Sequence, residues 1–257
     1  MRRKTHATFS DDRNALNFEL PKSWADLSER DLAMVMRCRS RWAEPAVAKL
    51  AIFMHLTGLE IRYRWDKVWV CRVPIKEGKK VKKYGFNLDP SLVPGMLEGL
   101  DWLDEPGTTP MRLEKLHGVK ALPARFHDVD FGTFLQCENC YQGILQSHKP
   151  EAVQHLVTLL YPGIKARITE WEQLMVIQWF VQVKTMFALQ FPNFYKPAES
   201  VGTPSMVEVM NSEIRALTGG DVTKESEILA LDTWRALTEL DAKAKESEEF
   251  NAKYKKK

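Results

Sequence analysis

The stretch 169–190 limits the fold more than any other part of the chain, because it is apolar on nearly every side of a helix. Thr169 and Glu172 have capping-box spacing and mark where this helix begins. A helix that lacks a polar face needs other elements around it, so the sequence predicts a central helix in a multi-helix domain. Several polar side chains make membrane insertion of the stretch costly; they are Glu170, Glu172, Gln173, Gln178, Gln182, Lys184 and Gln190.

Helical patterns with recognisable ends fill most of the remaining sequence. Ser28 and Asp31 form a variant of the capping box, and Pro45 opens a helix that Gly58 ends. The chain has 257 residues, 44% of them hydrophobic and 28% charged, which is ordinary for a globular protein with a sizeable core. Apolar periodicity predicts further helices near 88–103, 130–146, 150–161, 203–218 and 223–249.

One segment departs from the helical pattern. Ile61, Tyr63 and Trp65 alternate with charged residues, and two turn signals follow them. This alternation predicts a small antiparallel β-meander, with the three apolar residues on one face. The predicted fold class is mainly α (α+β): a multi-helix domain with a β-meander insertion and a helical C-terminal tail.

Composition along the chain predicts its organisation. Residues 1–17 are polar and are expected to form a flexible N-terminal arm. The mainly helical core is predicted to span 18–192, with the β insertion near 59–86. Proline and glycine indicate a linker at 193–203, after which 204–257 form a C-terminal helical region.

The β-meander concentrates positive charge that the whole chain, at +3, does not show. Between residues 60 and 84 there are nine basic and three acidic residues, a local charge of +6. Basic residues interleaved with aromatics are typical of single-strand nucleic-acid binding. In the alternative interpretation, the aromatics face the helices and the lysines protect an edge strand from aggregation. The alternation favours the second interpretation. The nucleic-acid-binding candidates of the first are Arg62, Arg64, Trp69, Lys79, Lys80, Lys82 and Lys83.

The C-terminal helical region supplies candidate partner-binding residues. A helix with a narrow apolar face behind a proline-rich linker often docks onto another protein. Trp234 and Leu237 lie on such a face, and Met206 and Met210 add adaptable apolar surface before it. The alternative, that the last helix packs back on its own domain, stays open at this level.

Catalytic and metal motifs are scarce. The common phosphate-binding, dinucleotide-binding, zinc-protease and serine-hydrolase motifs are absent, and Asp130 beside His127 is better placed as a helix N-cap than as an acid or base. The sequence therefore predicts no enzyme, no cofactor and no metal. A zinc or redox protein built around Cys137 and Cys140 is a rival interpretation, although the pair falls on a helical apolar stripe. Four cysteines and no export signal favour reduced thiols in a cytosol.

Several phrases spread over the chain carry a family resemblance: LPKSWADL at 20–27, LPARFHDVDFGTF at 122–134, LLYP at 159–162, IRALTGGD at 214–221 and WRALTEL at 234–240. Together they resemble proteins of the structural modules of tailed phages and prophages of Bacteroidales-type bacteria, tail-assembly chaperones among them. The resemblance implies a non-enzymatic protein of the host-cell cytoplasm, or of the virion, with tape-measure or tail-tube proteins as partners. It implies no membrane, and it leaves a homo-oligomer open.

Overall fold

The computed structural model describes residues 7–9, 16–77, 79–147, 150–196 and 205–254. The chain divides into two compact units, Met1–Gly107 with Glu170–Leu174, and Thr108–Thr169 with Met175–Lys257. Helices make up most of the described chain and a small sheet lies in the first unit, so the predicted mainly α (α+β) class is confirmed. No helix in these ranges is long and apolar enough to cross a membrane. The predicted single core over 18–192 differs from this division, which falls in a proline- and glycine-rich stretch near residue 107.

The first unit opens with two short strands, β1 (Ala7–Phe9) and β2 (Leu16–Phe18), which pair antiparallel. The predicted flexible arm is therefore wrong for the described part of residues 1–17. Ala7 pairs with Ile75 of the parallel strand β4 (Val68–Glu77), and its side chain is fully buried. A ladder partner some 70 residues away leaves no mark in the local sequence.

The next two helices end where the sequence predicts. Helix α1 (Glu29–Arg41) is capped by Ser28, whose hydroxyl accepts a hydrogen bond from the Asp31 amide at 3.2 Å. Helix α2 (Pro45–Thr57) ends at Gly58, whose φ of 72° is left-handed and favours glycine. A Cβ at Gly58 would lie 2.8 Å from Cγ of Pro74, so close packing also excludes a side chain there.

The helix predicted near 88–103 is broken into three short pieces. A helix α3 (Val93–Leu97) lies between two 3-10 segments, Pro90–Leu92 and Glu98–Asp104. Two prolines and two glycines within this stretch lower its helix propensity, which explains the interruption.

The meander is formed by β3 (Glu60–Trp65), β4 and β5 (Lys80–Leu88), with β4 in the centre. Its three strands are antiparallel as predicted, but β1 and β2 extend it into a mixed five-stranded sheet. One face of β4 is buried through Cys71, Val73 and Ile75, each at most 2% exposed. The other face carries Arg72 and Lys76, which are exposed.

The second unit is helical apart from a short hairpin, β6 (Lys115–Leu116) and β7 (Val119–Lys120). The helices around its core come from both halves of the unit, and the residues of α6 from Met175 onwards belong to it. The helices are α4 (Phe131–Ser147), α5 (Pro150–Leu160), α6 (Glu170–Gln190), α7 (Met206–Thr218), α8 (Glu225–Leu229) and α9 (Thr233–Tyr254).

The core of the second unit is built around Phe126, which has a left-handed φ of 60° and no exposed surface. Four aromatic rings surround it, with centroids 6.1 to 6.4 Å from its own. Helix α6 supplies three of the four; its residues 171–188 are all buried or half-buried, as expected for a central helix, whereas Leu189 at its end is 62% exposed. The four rings are those of Phe134, Trp179, Phe180 and Phe187.

The start of α4 is tied to the start of α9 by bonds that cross about 100 residues. The Phe131 amide donates to the Leu231 carbonyl at 2.7 Å, and the Thr233 amide donates to the Val129 carbonyl at 2.8 Å. The Asp128 amide donates to the Asp232 carboxylate at 2.8 Å. The C-terminal helical region predicted for 204–257 is therefore part of the second unit in its described residues.

The predicted linker 193–203 is ordered at its beginning. Asp241 of α9 accepts hydrogen bonds from the backbone amides of Asn193, at 2.7 Å, and Phe194, at 3.0 Å. These bonds explain the turn at 193–196, because they satisfy backbone donors that a free linker would leave to water. The rest of the predicted linker lies outside the described residues.

Candidate functional site

A β-bulge in β3 reverses the predicted placement of its aromatic residues. The pairing runs from Ile61 opposite Cys71 to Tyr63 opposite Val70, so one residue, Arg62, is extra. A bulge of this kind shifts the alternation by one residue. Ile61 therefore shares a face with buried Cys71, whereas Tyr63 turns to the other side, and the prediction that Ile61, Tyr63 and Trp65 share one face was wrong.

The exposed side of this sheet, called the outer sheet face below, is defined by the register of its three strands. Paired residues point to the same side, so the face follows from Tyr63 opposite Val70 and Arg72 opposite Gly85. Tyr63 is 58% exposed and Trp65 is 75% exposed, which is unusual for large aromatic side chains. The outer sheet face comprises Glu60, Tyr63, Trp65, Arg72, Lys76, Val81 and Lys83.

The predicted nucleic-acid residues are divided by this register. Lys83 lies on the outer sheet face, but Lys80, Lys82 and the pair Arg64–Trp69 lie on the opposite side. The Arg64 guanidinium is 4.7 Å from the centroid of the Trp69 ring, a cation–π contact. Arg62 occupies the bulge and Lys79 the turn before β5. The seven candidates thus do not form one surface.

A second surface, called the α7 groove below, lies beside helix α7 in the second unit. It is a cavity of about 580 Å³ with apolar walls and a charged floor. Helix α7 contributes Met206, one of the predicted partner-binding residues, together with Val209. The remaining lining residues come from α4, α6 and the turn after α6; they include Phe134, Glu138, Gln142, Lys184, Phe194 and Tyr195.

The floor of the α7 groove holds an ion pair in which one carboxylate oxygen has no hydrogen-bond partner. Oε1 of Glu138 pairs with the Lys184 ammonium and accepts a hydrogen bond from Gln142 at 3.0 Å. The Glu138 side chain is 13% exposed, and its Oε2 is buried without a hydrogen-bond partner. A buried carboxylate oxygen without a hydrogen bond is costly, so Glu138 is an incompletely satisfied group beneath the groove.

A second carboxyl, Glu213 of α7, lines the same groove. Its pKa is raised from 4.5 to about 7, mainly by burial and also by the negative Glu138, with Lys184 opposing both. Burial also raises the pKa of Tyr195 well above its ordinary value. Glu213 was not among the sequence candidates, although it occupies a position of the apolar stripe that runs through Met206 and Met210, and this was a usable signal.

Met210 lies on the other side of α7. There a smaller cavity of about 330 Å³ is lined by Val207, Met210 and Ile214 of α7. The two predicted methionines therefore face separate depressions along one helix and do not meet in one site.

The predicted partner-binding residues of α9 are occupied within their own unit. Leu237 is fully buried, so it does not offer a contact to a partner. Trp234 is half-buried; its indole N–H donates to the Arg125 carbonyl at 2.8 Å, and its ring stacks on His127 with centroids 4.8 Å apart. Of the two interpretations kept for this helix, packing on its own domain describes both residues.

The candidate metal and acid–base residues serve the fold of the second unit. Asp130 caps α4, since its carboxylate accepts bonds from the Thr133 amide at 2.7 Å and hydroxyl at 2.9 Å. Cys137 is fully buried on the apolar stripe, and burial raises its pKa well above the ordinary thiol value. Cys140 is 8% exposed, with a pKa that burial also raises.

Comparisons with protein-family models, with curated proteins and with solved structures find no match to this chain. Within the described ranges, no group of three or more His, Cys, Asp or Glu side chains could hold a metal ion. Within the described residues, the α7 groove and the outer sheet face are surfaces on which a function can be argued.

Proposed function

We propose that this protein is a non-enzymatic assembly protein of a tailed phage or prophage, acting through protein–protein contacts as a tail-assembly chaperone does. Its clients would be tape-measure or tail-tube proteins, which present long helical or newly made segments. The protein would act in the cytoplasm of the host cell or in the virion. A second copy of the chain is a further partner that the same contacts could bind.

The observation that carries this proposal is the incomplete burial of α7. The helix has an apolar stripe through Met206, Met210, Ile214 and Leu217, yet Thr218 is its only buried residue among those described. An amphipathic helix that packs into a core buries its apolar stripe, as α5 does with four buried residues. The exposed remainder of the stripe is surface that a client segment can cover.

The α7 groove suits a helical client in both shape and chemistry. Peptide helices dock by placing apolar side chains in such grooves, and methionine lets a groove adapt to different sequences. Phe134, Phe194 and Val209 supply apolar wall.

The experiment is co-expression with any tape-measure protein that is encoded near this gene, followed by affinity capture. Val209→Asp puts a charge in the groove wall and should lower client retention by more than about tenfold, since about 1.4 kcal/mol is one decade of affinity. Val222→Asp is the matched control, because Val222 is 79% exposed and outside the groove. Circular dichroism of both variants checks that the helices remain folded.

Ser212→Trp tests the same groove without adding charge. Ser212 lines the groove and is exposed, so an indole there fills the cavity while the helix keeps its other contacts. Loss of the client with both groove variants, and retention with Val222→Asp, would support the proposal. Equal retention by all three variants, or the absence of tape-measure and tube genes around this gene, would reject it.

A further inference from the structure

We propose that the outer sheet face binds single-stranded nucleic acid, with Tyr63 and Trp65 stacking on bases and Arg72, Lys76 and Lys83 contacting phosphates. This surface lies in the first unit and shares no residue with the α7 groove. Nucleic-acid binding can therefore be tested independently of client binding.

The aromatic residues are the first reason. The bulge at Arg62 places Tyr63 and Trp65 on the exposed face, where they are 58% and 75% exposed. Each base has a π-face, and stacking on an aromatic side chain is therefore tolerant of sequence. Residues two apart on a strand lie about 6.6 to 6.8 Å apart on the same side, so each ring can take its own base. Without the bulge both rings would point to the buried side of the sheet.

The charge of the face is the second reason. Three cations, Arg72, Lys76 and Lys83, stand against one carboxylate, Glu60. Glu60 is 2.9 Å from the Lys83 ammonium and 3.5 Å from the Arg62 guanidinium, so three cations less one carboxylate leave a net charge of +2 on this face, carried mainly by Arg72 and Lys76. The net positive charge complements a phosphate backbone running across the strands.

A single strand fits this face better than a duplex or a protein partner. Stacking needs bases that are free of their neighbours, which a duplex does not offer. A protein interface of ordinary size has an apolar centre depleted in lysine, whereas here Arg72, Lys76 and Lys83 lie among the two rings and the valine and proline side chains of the same face.

The binding experiment uses the full chain and a fluorescein-labelled oligo(dT) of about 15 nucleotides, followed by anisotropy at low salt and at about 0.2 M salt. Tyr63→Ala with Trp65→Ala should raise Kd at least about tenfold, because each stacked base contributes substantially. Trp65→Phe with Tyr63 intact keeps both rings and should stay within about threefold of the parent. An unlabelled duplex of the same length should compete poorly.

The charge experiment uses two double variants with the same change in charge on opposite faces. Lys76→Glu with Lys83→Glu alters the outer sheet face, whereas Lys80→Glu with Lys82→Glu alters the opposite face of β5. The outer pair should weaken binding about tenfold and reduce the salt slope by roughly 0.7 for each lost phosphate contact. The matched pair should keep the slope. Absence of oligonucleotide binding at low salt, equal loss in both double variants, or strong duplex competition would each overturn the proposal.

Discussion

The core around Phe126 and the α7 groove are built from similar residues in the same unit, but they differ in how closely their side chains pack. Around Phe126, four aromatic rings close at 6.1 to 6.4 Å and Trp179, Phe180 and Phe187 have no exposed surface. Beside α7, aromatic and methionine side chains leave about 580 Å³ open. The difference shows that apolar composition alone does not decide whether a surface is core or docking site.

Helix α4 contributes to both regions and shows how one element serves them. Phe134 packs toward Phe126, while Glu138, one turn later, lies in the floor of the groove. The ion pair of Glu138 with Lys184 holds charge where further apolar packing would close the groove. The groove thus contains an ion pair, whereas the four rings around Phe126 carry no charge.

The largest expected effect is in the core. Phe126→Ala removes a ring that touches four others and should lower the free energy of unfolding by about 3 to 5 kcal/mol. Urea unfolding followed by tryptophan fluorescence measures this loss. A loss below about 1 kcal/mol would show that the site collapses easily, and would remove the contrast with the groove.

The second effect is a pH dependence that only the groove should have. The folded pKa of Glu213, about 7, lies above its unfolded value of 4.5, so the folded state holds a proton that the unfolded state releases. The stabilisation is complete below about pH 4.5 and is lost as pH rises through 7. Glu138 and Lys184 are the charged groups that face it.

Glu213→Gln removes this titration and should flatten the stability curve between pH 4.5 and 7 by about 1 to 3 kcal/mol relative to the parent. Thermal or urea unfolding at several pH values measures the difference. Parallel curves for parent and variant would mean that Glu213 is charged throughout and that the groove is wetter than described.

The third effect concerns the cap of α7. Ser205 and Glu208 form a complete capping box, with the Ser205 amide donating to Glu208 at 2.7 Å. Ser205→Ala should destabilise α7 by about 1 kcal/mol, and Ser205→Asn should restore most of it. Hydrogen exchange should speed up in α7 while the amides of α6 stay protected. Equal acceleration in both helices would mean that α7 and the core open together.

The smallest effect on stability is expected at the groove wall. Met206 is half-buried and its contacts are incomplete, so Met206→Ala should cost less than about 1 kcal/mol. The same urea titration used for Phe126→Ala gives the comparison. A cost near that of Phe126→Ala would show that the groove wall is core after all.

Much of the helical architecture could be predicted from local signals. Ser28 before α1, Pro45 and Gly58 around α2, and the unbroken apolar pattern of α6 act within a few residues of one another. Caps and periodicity depend on short-range chemistry, so one sequence is enough to place them.

What the sequence could not supply depends on partners far along the chain. The strand at Ala7 exists because β4 offers an edge, and the bulge at Arg62 exists because β4 sets its register. The left-handed backbone of Phe126 is tolerated because two tryptophans, Trp179 and Trp234, bond the carbonyls of Ala124 and Arg125 just before it. None of these features has a local sequence pattern.

The candidate site was predicted only in pieces. Met206 was found from its place on an amphipathic stripe, but the groove needs Glu138 and Lys184 from two other helices. The prediction that Leu237 contacts a partner was wrong, since the residue is fully buried. A narrow apolar face has the same sequence pattern whether it packs on a partner or on the chain's own core. Choosing between the two requires knowing what lies opposite, and this is a tertiary property.

The bonds between the start of α4 and the start of α9 set an order of events during synthesis. The Phe131 amide and the Val129 carbonyl have their hydrogen-bond partners in residues 231–233, which the ribosome makes about 100 positions later. Contacts of such separation form late, after costly loop closure. The cluster around Phe126 is synthesised by residue 187 and then lacks α9 until residue 233 has been made, so a pause between these points would leave part of its apolar surface uncovered.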